Sequence, residues 1–516
     1  MNLKDMIFIV GIALVTTWGF EYLFFSKKTD QCETVQAGQS FIAPKAAQEL
    51  KPIETEVDFI DARRSVPTQV TEVETDLAHL YFSTDGGSLE RLEFKRKFGG
   101  WRQALTTLFP PADTEREKRC FLVGLEEKTP YYYKLVGVQD LGTHVEVVYQ
   151  ADGDGSTIVK KYTVFKDSYK INLALTIKPG STPVEARIFY PAPVMQDIAA
   201  DDVKSSLVAE TSGSITITAR GKINSDMYWV TPTLFGADNR YFVNALVTDP
   251  DHFTQRAYYK LTGQNELYAI LEGPKVNQET TWQLSFYCGP KESGPMGSVD
   301  PRLEQTMGYA GWFAPIARWL LALLNFLYDY LGNYGLAIIA LTILTKLVLL
   351  PFSLKGNESL RKHGELQRKL KYLQQKYKDN PEQLALERAD LMRKEGLGGL
   401  SGCLPQLLQL PIFFALSRVL STSIELHQAP FYGWITDLSA KDPYYVLPLL
   451  VTVSILLQAS TGDAGQRMQM MVMALVFGAI TSTMAAGLCL YIFMSTLLSA
   501  LQNFVQKTFK ANGYVG

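Results

Sequence analysis

The chain has 516 residues, which is room for two or three domains, and a formal net charge of −2. This near-neutral balance lacks the basic signature of a nucleic-acid-binding protein. Residues 27–306 are polar and rich in strand patterns, whereas residues 307–510 are mostly apolar apart from one charged block. The five cysteines have neither a CxxC spacing nor that of a zinc site, so no metal and no cofactor are predicted.

The first apolar segment, Met6–Phe25, is about twenty residues long, which is enough to cross a bilayer. Lysines flank it on both sides, and no small-residue cleavage site follows it. Residues 1–26 are therefore predicted to be an uncleaved transmembrane anchor. Residues 27–66 have no periodicity and are rich in Gln, Lys, Pro and Ala, which predicts a linker.

Residues 67–300 have the pattern of an antiparallel β-sandwich. The run Asp85-Gly86-Gly87 is a hairpin signal between two short apolar stretches. Tyr162–Ile177 contains two alternating runs, and every second residue from Ile171 onward is apolar. Many short strands with turns between them predict a large all-β domain.

No catalytic motif is found in the predicted β domain. Its histidines, His79, His144 and His252, do not lie in an HExxH, GxSxG or similar setting, so the chain is predicted not to be an enzyme. Cys120 and Cys288 lie in the same domain. A disulfide between them requires an extracytoplasmic location, and the sequence leaves their pairing open.

Residues 307–330 are predicted to form an amphipathic helix in the membrane interface. Apolar and aromatic side chains make one stripe, and Arg318, Asn325 and Asp329 fall on the opposite face. A spanning helix is the alternative. Pro315 and the polar break at Gly332-Asn333 favour the interfacial position.

Residues 331–352 are the second predicted transmembrane helix, and Lys346 is the one full charge inside it. A lysine at the centre of a span costs roughly 2.5–3.5 kcal/mol, so it usually faces protein or water rather than lipid. Pro351 predicts that the helix ends there, which places Lys346 nearer one interface. Two interpretations follow: a lysine that snorkels to the headgroups, or a cation that lines a wet cavity.

Residues 353–399 are the charged block, and Ser353–Gly396 contains eleven Lys or Arg and seven Asp or Glu. Helically spaced leucines on both sides of residues 379–381 predict a helical hairpin, with Asn380 as the cap and Pro381 at the first helical position. The excess of Lys and Arg in a short loop between spans predicts a cytoplasmic location.

Residues 400–510 contain the predicted transmembrane helices three to six, and a short tail follows at 511–516. The predicted fold is a polytopic α-helical membrane protein with six transmembrane helices, five of them forming the core. A large all-β domain and a cytoplasmic helical hairpin complete it. Alternation of sides from the hairpin places both termini in the cytoplasm and residues 27–330 outside it.

Mildly polar residues recur within the spans and predict a hydrated groove around one cation. They are Lys346, Thr342, Gln406, Gln409, Gln458, Ser454, Ser495 and Ser499. Scattered Ser and Gln often make only interhelical hydrogen bonds, which is the alternative. A small-solute transporter or channel is one function that such a groove would serve.

Several motifs carry a resemblance to a known family. They are Gly332-Asn-Tyr-Gly335, Thr342-x3-Lys346-x4-Pro351, Gly399-x2-Gly402-Cys403-Leu-Pro405 and Gly487-Leu-x-Leu-Tyr491. With these motifs, residues 307–510 resemble the YidC/Oxa/Alb3 family of membrane protein insertases, specifically its Gram-negative YidC form. Residues 67–296 resemble it more loosely.

The resemblance implies a fold, a function and a set of partners. Members of the family insert newly made membrane proteins and help them fold, alone or beside the Sec translocon, without nucleotide hydrolysis. The periplasmic domain would be a β-supersandwich, and the location the bacterial inner membrane. Implied partners are nascent membrane proteins, the Sec translocon and lipids, with the 353–399 hairpin contacting the ribosome or the signal recognition particle receptor and no direct nucleic-acid contact.

The resemblance also implies site residues. By motif, Lys346 is the family's groove cation, which is usually Arg, and Tyr491 lies on the same groove. Lysine keeps the charge but lacks the planar fork that grips a carboxylate. The resemblance further implies an apolar slide for the client on the third and fifth spans, formed by Leu407, Leu410, Phe414, Met471 and Leu475.

Overall fold

The computed structural model divides the chain into two compact units, which are described separately. We call the described residues up to 307 the β unit, and those from 314 to 421 and from 425 to 511 the helical unit. The predicted anchor, the linker before residue 51 and the end of the tail lie outside the described residues. The described ranges are 51–60, 67–95, 105–106, 116, 119–126, 128–153, 155–193, 206–211, 214–224, 226–261, 267–307, 314–378, 380–395, 399–459 and 464–511.

Within its described residues, the β unit has eighteen strands and one short helix, α1. Their bounds are β1 Val70–Glu74, β2 Ala78–Ser83, β3 Ser88–Phe94, β4 Leu105–Thr106, β5 Leu122–Leu125, β6 Lys134–Asp140, β7 His144–Gly153, β8 Ser156–Phe165, β9 Lys170–Lys178, β10 Val184–Pro191, β11 Ser206–Thr211, β12 Ser214–Ala219, β13 Tyr228–Val230, β14 Leu234–Asp238, β15 Phe242–Thr248, β16 Arg256–Leu261, β17 Leu267–Val276, β18 Thr280–Pro290 and α1 Ser293–Val299.

The strands form three sheets. Four strands pair in the order β1-β2-β3-β4, five in the order β13-β16-β17-β10-β5, and nine in the order β12-β11-β14-β15-β18-β9-β8-β7-β6. Each pairing between these strands is antiparallel, which confirms the antiparallel β architecture predicted from the short alternating runs.

Local turn chemistry and alternation explain the central strands. Gly86 and Gly87 both have positive φ, +69° and +50°, in the turn between β2 and β3. Only glycine adopts such a pair without strain, so the predicted hairpin is confirmed. Strand β9 buries every second side chain from Ile171 to Ile177. This alternation directs one face of the nine-stranded sheet into the core.

Aromatic rings fill the space between the sheets. The rings of Phe82 and Tyr162 lie 4.8 Å apart and join the four-stranded sheet to the nine-stranded sheet. Tyr190 of the five-stranded sheet packs against Phe286 of the nine-stranded sheet, with ring centroids 5.4 Å apart. Phe121 lies 4.7 Å from the same Phe286 ring. The core of the β unit is therefore a shared aromatic layer.

A lysine on the buried face of β8 was not predicted. The Lys160 ammonium donates hydrogen bonds to the carbonyl oxygens of Gly86 at 2.6 Å and Phe121 at 2.7 Å. It also lies 4.6 Å from the centre of the Tyr133 ring. Burial lowers the pKa of Lys160 well below its ordinary value. Carbonyl oxygens and a ring face thus replace the water that this cation would otherwise bind.

Part of the predicted linker is docked on the five-stranded sheet. We call residues 51–56 the strap. Arg256 donates to the carbonyl oxygen of Lys51 at 2.6 Å, and Arg187 donates to that of Glu54 at 2.6 Å. The Lys51 ammonium in turn lies 2.7 Å from a Glu126 carboxylate oxygen. The sequence predicts a linker over residues 27–66, and in this stretch of it side chains distant in sequence bind the backbone.

The helical unit has seven helices in its described residues. Their bounds are α2 Ala314–Leu331, α3 Tyr334–Lys376, α4 Pro381–Glu395, α5 Gly399–Thr422, α6 Val446–Ala459, α7 Ala464–Thr481 and α8 Ala486–Ala511. Two stretches, Tyr334–Pro351 and Ala486–Gln506, are long and apolar enough to cross a membrane. Three shorter apolar stretches are Pro411–Thr422, Val446–Leu457 and Met471–Thr481.

The prediction that a helix ends at Pro351 is wrong. Helix α3 runs without a break from the predicted second span into the first arm of the predicted hairpin. Side-chain bonds to α8 lie on both sides of the proline. Lys346 precedes it and donates to Ser499, and Ser353 follows it and accepts from Gln502 at 2.6 Å. These contacts hold the two halves of α3 beside one neighbour and offset the backbone hydrogen bond that proline lacks.

The predicted start of the second hairpin arm is confirmed. Helix α4 begins at Pro381, and the side-chain oxygen of Asn380 accepts a hydrogen bond from the Gln383 amide at 3.3 Å. Asparagine as the cap and proline at the first helical position each relieve an amide that has no partner within the helix.

One loop lies against the starts of three helices. The Asp442 carboxylate accepts hydrogen bonds from the Leu447 amide at 2.7 Å, at the start of α6, and from the Trp434 indole at 3.0 Å. The Gly487 amide at the start of α8 donates to the Leu438 carbonyl at 2.8 Å. Asn333, which caps α3, donates to the Pro430 carbonyl at 3.3 Å. Residues 430–442 thereby cover this end of the bundle.

Candidate functional site

Lys346 lies on α3 and bonds to two other helices. Its ammonium donates to the Ser499 hydroxyl on α8 at 2.9 Å and to the Gln409 side-chain oxygen on α5 at 3.2 Å. Both acceptors are neutral. Among the residues that the structure describes, no carboxylate lies within ion-pair distance of this ammonium. An ammonium has three protons to donate, so one is left for water or for a bound group.

Gln409 extends these contacts along α8. Its side-chain nitrogen donates to the Ser495 hydroxyl at 2.7 Å. The buried Tyr491, also a predicted groove residue, lies one turn before Ser495 on α8. Lys346, Gln409, Ser495 and Ser499 therefore form one hydrogen-bonded group on three helices, which we call the Lys346 network. All four were predicted groove residues, and the geometry brings them together.

Two other predicted groove residues make different contacts. Ser454 on α6 shares a 2.6 Å hydrogen bond with Thr496 on α8. The buried Thr342 hydroxyl donates to the Ile338 carbonyl of its own helix at 2.6 Å. That bond satisfies the hydroxyl within its own helix, so the Thr342 side chain bonds to α3 rather than to the Lys346 network. The side chains of Gln406 and Gln458 lie outside the described residues.

The predicted groove did not include two polar residues of the α3–α8 contact. They are Ser353 and Gln502. A spacing signal was present in the sequence, because Ser353 follows Lys346 by seven residues. That spacing returns to the same helix face, so the polar stripe is longer than the predicted groove.

The predicted slide is apolar and partly open where the structure describes it. On α7, Met468, Met471 and Leu475 share one face and are 46%, 44% and 67% exposed. Phe414 on α5 is half-buried, and its ring lies 5.4 Å from that of Phe413. The side chains of Leu407 and Leu410 lie outside the described residues. An exposed apolar face of this kind fits lipid or an apolar client segment.

The chemistry available at the site is electrostatic. A partly buried cation with neutral partners favours an incoming negative charge, because burial without a counter-charge is unfavourable. Within the described ranges, no group of three or more His, Cys, Asp or Glu residues is arranged to hold a metal ion. One cation held by neutral acceptors can bind and release an acidic group.

Comparison with known proteins accounts for most of the chain. Residues 70–323 match the family model of the YidC periplasmic domain, and residues 326–512 match the model described as 60Kd inner membrane protein.

Named relatives cover both units. The membrane protein insertase YidC of Geobacter sp. (strain M21) is 30% identical over 465 residues, which are 84% of this chain and 85% of that protein. The same-named protein of Geotalea daltonii is 28% identical over 98% of this chain and 100% of its own length. That of Campylobacter jejuni is 32% identical over 69% of this chain and 68% of its own length.

A crystal structure of an active YidC insertase, with its first transmembrane domain resolved, covers 87% of this chain and 95% of its own. The TM-score is 0.38 and the identity 19%, so the assignment rests on the sequence matches. The chain belongs to the YidC family of membrane protein insertases, with the YidC periplasmic domain at residues 70–323 and the family's helical domain after it.

Proposed function

We propose that Lys346 is the groove cation that receives the polar part of a client during membrane insertion. The observation that carries this proposal is the set of partners of Lys346. Two neutral oxygens hold the ammonium, and a third proton is left for a client carboxylate or for water.

The expected attraction is modest and reversible. Two unit charges about 4 Å apart attract by about 1 kcal/mol in water and about 4 kcal/mol at the effective dielectric typical of protein surfaces. Lys346 is partly buried, so an acidic residue would gain an energy between these limits. A gain of this size draws a polar tail into the groove without trapping it there.

The apolar part of the client then enters the lipid along the slide. Each buried CH₂ group contributes roughly 0.8 kcal/mol, so a whole apolar segment outweighs the loss of the contact with Lys346. The exposed side chains of Met471 and Leu475 on α7 support this path, since they offer an apolar surface beside the bundle.

The proposed topology has six transmembrane helices. They are the anchor at residues 1–26, the first part of α3, and helices α5, α6, α7 and α8. In this topology α2 lies in the interface, the hairpin of late α3 and α4 is cytoplasmic, both termini are cytoplasmic, and residues 27–330 are periplasmic. The hairpin's excess of Lys and Arg supports this orientation.

The family resemblance implies further partners, and this topology assigns a surface to each. The hairpin would contact the ribosome or the signal recognition particle receptor, and the spans would contact the Sec translocon. The loop at residues 430–442 supports a groove closed on the periplasmic side, because it bonds to the starts of α3, α6 and α8. Such closure favours an insertase over a solute channel.

The test replaces Lys346 by Arg, Met or Glu in cells depleted of their own insertase. The measurement is protease protection of a single-span client that has an acidic periplasmic tail, and of the same client with that tail made neutral. Lys134→Glu is the matched control, because Lys134 is an exposed lysine on β6 and undergoes the same change of charge away from the groove.

We expect Lys346→Glu to reduce insertion of the acidic client at least tenfold and of the neutral client by less than threefold. Lys346→Met should fall between Lys346→Glu and the parent, and Lys346→Arg should retain most insertion. A lysine-tailed client should insert better with Lys346→Glu than with Lys346→Met. Equal insertion of the acidic client by the parent and Lys346→Glu contradicts the proposed role.

A further inference from the structure

Two cysteine side chains meet in the core of the β unit. Cys120 and Cys288 are each only 2% exposed. Cys120 pairs with Leu89 beside the four-stranded sheet, and Cys288 lies in β18 of the nine-stranded sheet. The two residues therefore come from elements that are far apart in the sequence.

The two cysteines are free and neighbour each other in this core. Burial and the nearby Cys288 side chain together raise the pKa of the Cys120 thiol well above its ordinary value. Cysteines that neighbour each other in one packed core are candidates for a disulfide, which needs a specific side-chain rotation. The surroundings fix this arrangement, since the ring of Phe121, next to Cys120, packs 4.7 Å from that of Phe286 on β18. The Cys288 amide also donates to the Tyr169 carbonyl at 3.1 Å.

We propose that Cys120 and Cys288 are a modification site, at which a structural disulfide forms when the domain folds in the periplasm. The proposal rests on the periplasmic location of the family domain that residues 70–323 match. Periplasmic proteins form and keep disulfides, whereas cytoplasmic proteins rarely do.

The reaction is thiol–disulfide exchange with a disulfide-bearing oxidoreductase. The thiolate of one cysteine attacks the donor disulfide, breaks its S–S bond and forms a mixed disulfide. The second cysteine then attacks the mixed disulfide, which forms the Cys120–Cys288 bond and releases the donor as a dithiol. Two electrons and two protons pass to the donor, so the exchange is balanced without another reactant.

The exchange takes place while the domain is folding. In the folded unit both sulfurs are out of reach of a protein oxidant, and burial raises the pKa of the Cys120 thiol well above its ordinary value. A protonated, enclosed thiol is a poor nucleophile. Once formed, the bond closes a loop of about 170 residues, and loops of that length give a large constraint on the unfolded chain.

The experiment counts free thiols in the full chain. A Cys32→Ser variant is expressed in a Gram-negative host with intact periplasmic thiol oxidation, quenched in acid, denatured and labelled with a polyethylene-glycol maleimide. We expect two additions before reduction, at Cys403 and Cys489, and four after it. A host that lacks the periplasmic thiol oxidase should give four in both samples. Four additions before reduction in the oxidising host would overturn the proposal.

A second variant tests the identity of the pair. With Cys120→Ser added, Cys288 loses its partner and three additions are expected with or without reduction. Fewer than three before reduction would show that Cys288 pairs elsewhere and would also overturn the proposal. The count is made after denaturation, so it does not depend on whether the variant folds.

Insertion activity need not change, because the thiols lie in the β unit. A failure of the Lys346 test therefore leaves the thiol count unaffected, and the two proposals fail separately. As a further readout, reduction should lower the melting temperature of the oxidised β unit by about 5 °C or more. Reduction should leave the melting temperature of the Cys120→Ala/Cys288→Ala double variant unchanged.

Discussion

Replacement of Gly335 by alanine tests the packing of the family motif that opens α3. A methyl group at Gly335 would lie 2.0 Å from Cδ2 and 2.5 Å from Cγ of the Phe431 ring. Ordinary carbon contacts are about 3.5–4.0 Å, so the ring would have to move by roughly 1.5 Å or more. Phe431 belongs to the loop that covers the helix starts, and Gly335→Ala therefore pushes this loop away from α3.

The expected change in the free energy of unfolding is the balance of two opposed effects. Replacing glycine by alanine in a helix stabilises it by up to about 1 kcal/mol, and overpacking destabilises the fold by about 1–3 kcal/mol. We expect Gly335→Ala to lower the free energy of unfolding by about 1 kcal/mol, or about 2–4 °C in midpoint. In a double-mutant cycle, Phe431→Leu should make room for the methyl and give a coupling energy of about 1–3 kcal/mol between the two changes.

The assay is thermal exposure of Cys489 in the purified full chain in detergent. Cys489 is buried in α8, so its alkylation, measured by mass spectrometry of its peptide, reports unfolding of the helical unit alone. The Phe431→Leu single variant is the control, because it shortens the side chain that the methyl would meet without adding the methyl. If Gly335→Ala raises the midpoint and adds simply to Phe431→Leu, the packing argument is wrong.

Three further predictions concern charges. Gln409→Glu should place a carboxylate beside Lys346 and reduce insertion of the acidic client at least fivefold, because the new carboxylate competes with the client for the cation. Gln409→Leu should reduce insertion less, and equal effects of the two variants would contradict this competition. Arg256→Ala removes a bond to the strap and should speed cleavage after Glu54 by a glutamate-specific protease several-fold. An unchanged rate would mean that the strap is held without Arg256. Burial lowers the pKa of Lys160 in the folded chain. At pH values between that lowered pKa and the ordinary lysine pKa of about 10.4, the unfolded chain therefore binds more protons than the folded chain. The free energy of unfolding of the parent, measured by hydrogen exchange in β8, should therefore rise with pH across this window relative to that of Lys160→Met. If the difference in free energy between the two proteins does not change with pH, the lowered pKa is contradicted.

Local signals in the sequence predicted the elements that depend on them. The paired glycines before β3 require positive φ, and Asn380-Pro381 is a helix start that needs no partner from elsewhere. Alternation predicted the buried face of β9 because the side-chain period of a strand is two. Each of these features depends only on residues that lie within a few positions of it in the sequence.

Features that depend on distant partners were not predicted. From sequence alone Lys160 is expected to face solvent. In the structure it is buried, because Gly86 and Phe121, 74 and 39 residues away, supply carbonyl oxygens to its ammonium. The strap has the sequence pattern of a linker, but the side chain of Arg256, 205 residues further along the chain, binds its backbone. Sequence pattern alone does not identify backbone acceptors, because a carbonyl oxygen is the same in every residue type.

The site was predicted in part, and the differences have a physical pattern. Lys346 and Gln409 were expected to be neighbours, and their side chains are 3.2 Å apart. Thr342 was assigned to the groove because it is polar, but a threonine in a helix can bond to the carbonyl four residues earlier, and it does so here. Polarity inside a span is therefore a weaker signal for Ser and Thr than for Gln or Lys, which cannot be satisfied as easily by their own helix.

The geometry also bears on lysine at a position where the family usually has arginine. The two acceptors of Lys346 are single oxygens on different helices, at 2.9 and 3.2 Å. An ammonium directs its three protons tetrahedrally, so it can serve both acceptors and still offer one donor to a client. A guanidinium is planar and would favour a two-point grip on one carboxylate. One-point binding is weaker and faster to break, and an insertase must release each client. In the proposed mechanism, lysine at 346 therefore suits transient attraction, and the apolar slide would supply the larger part of the driving force.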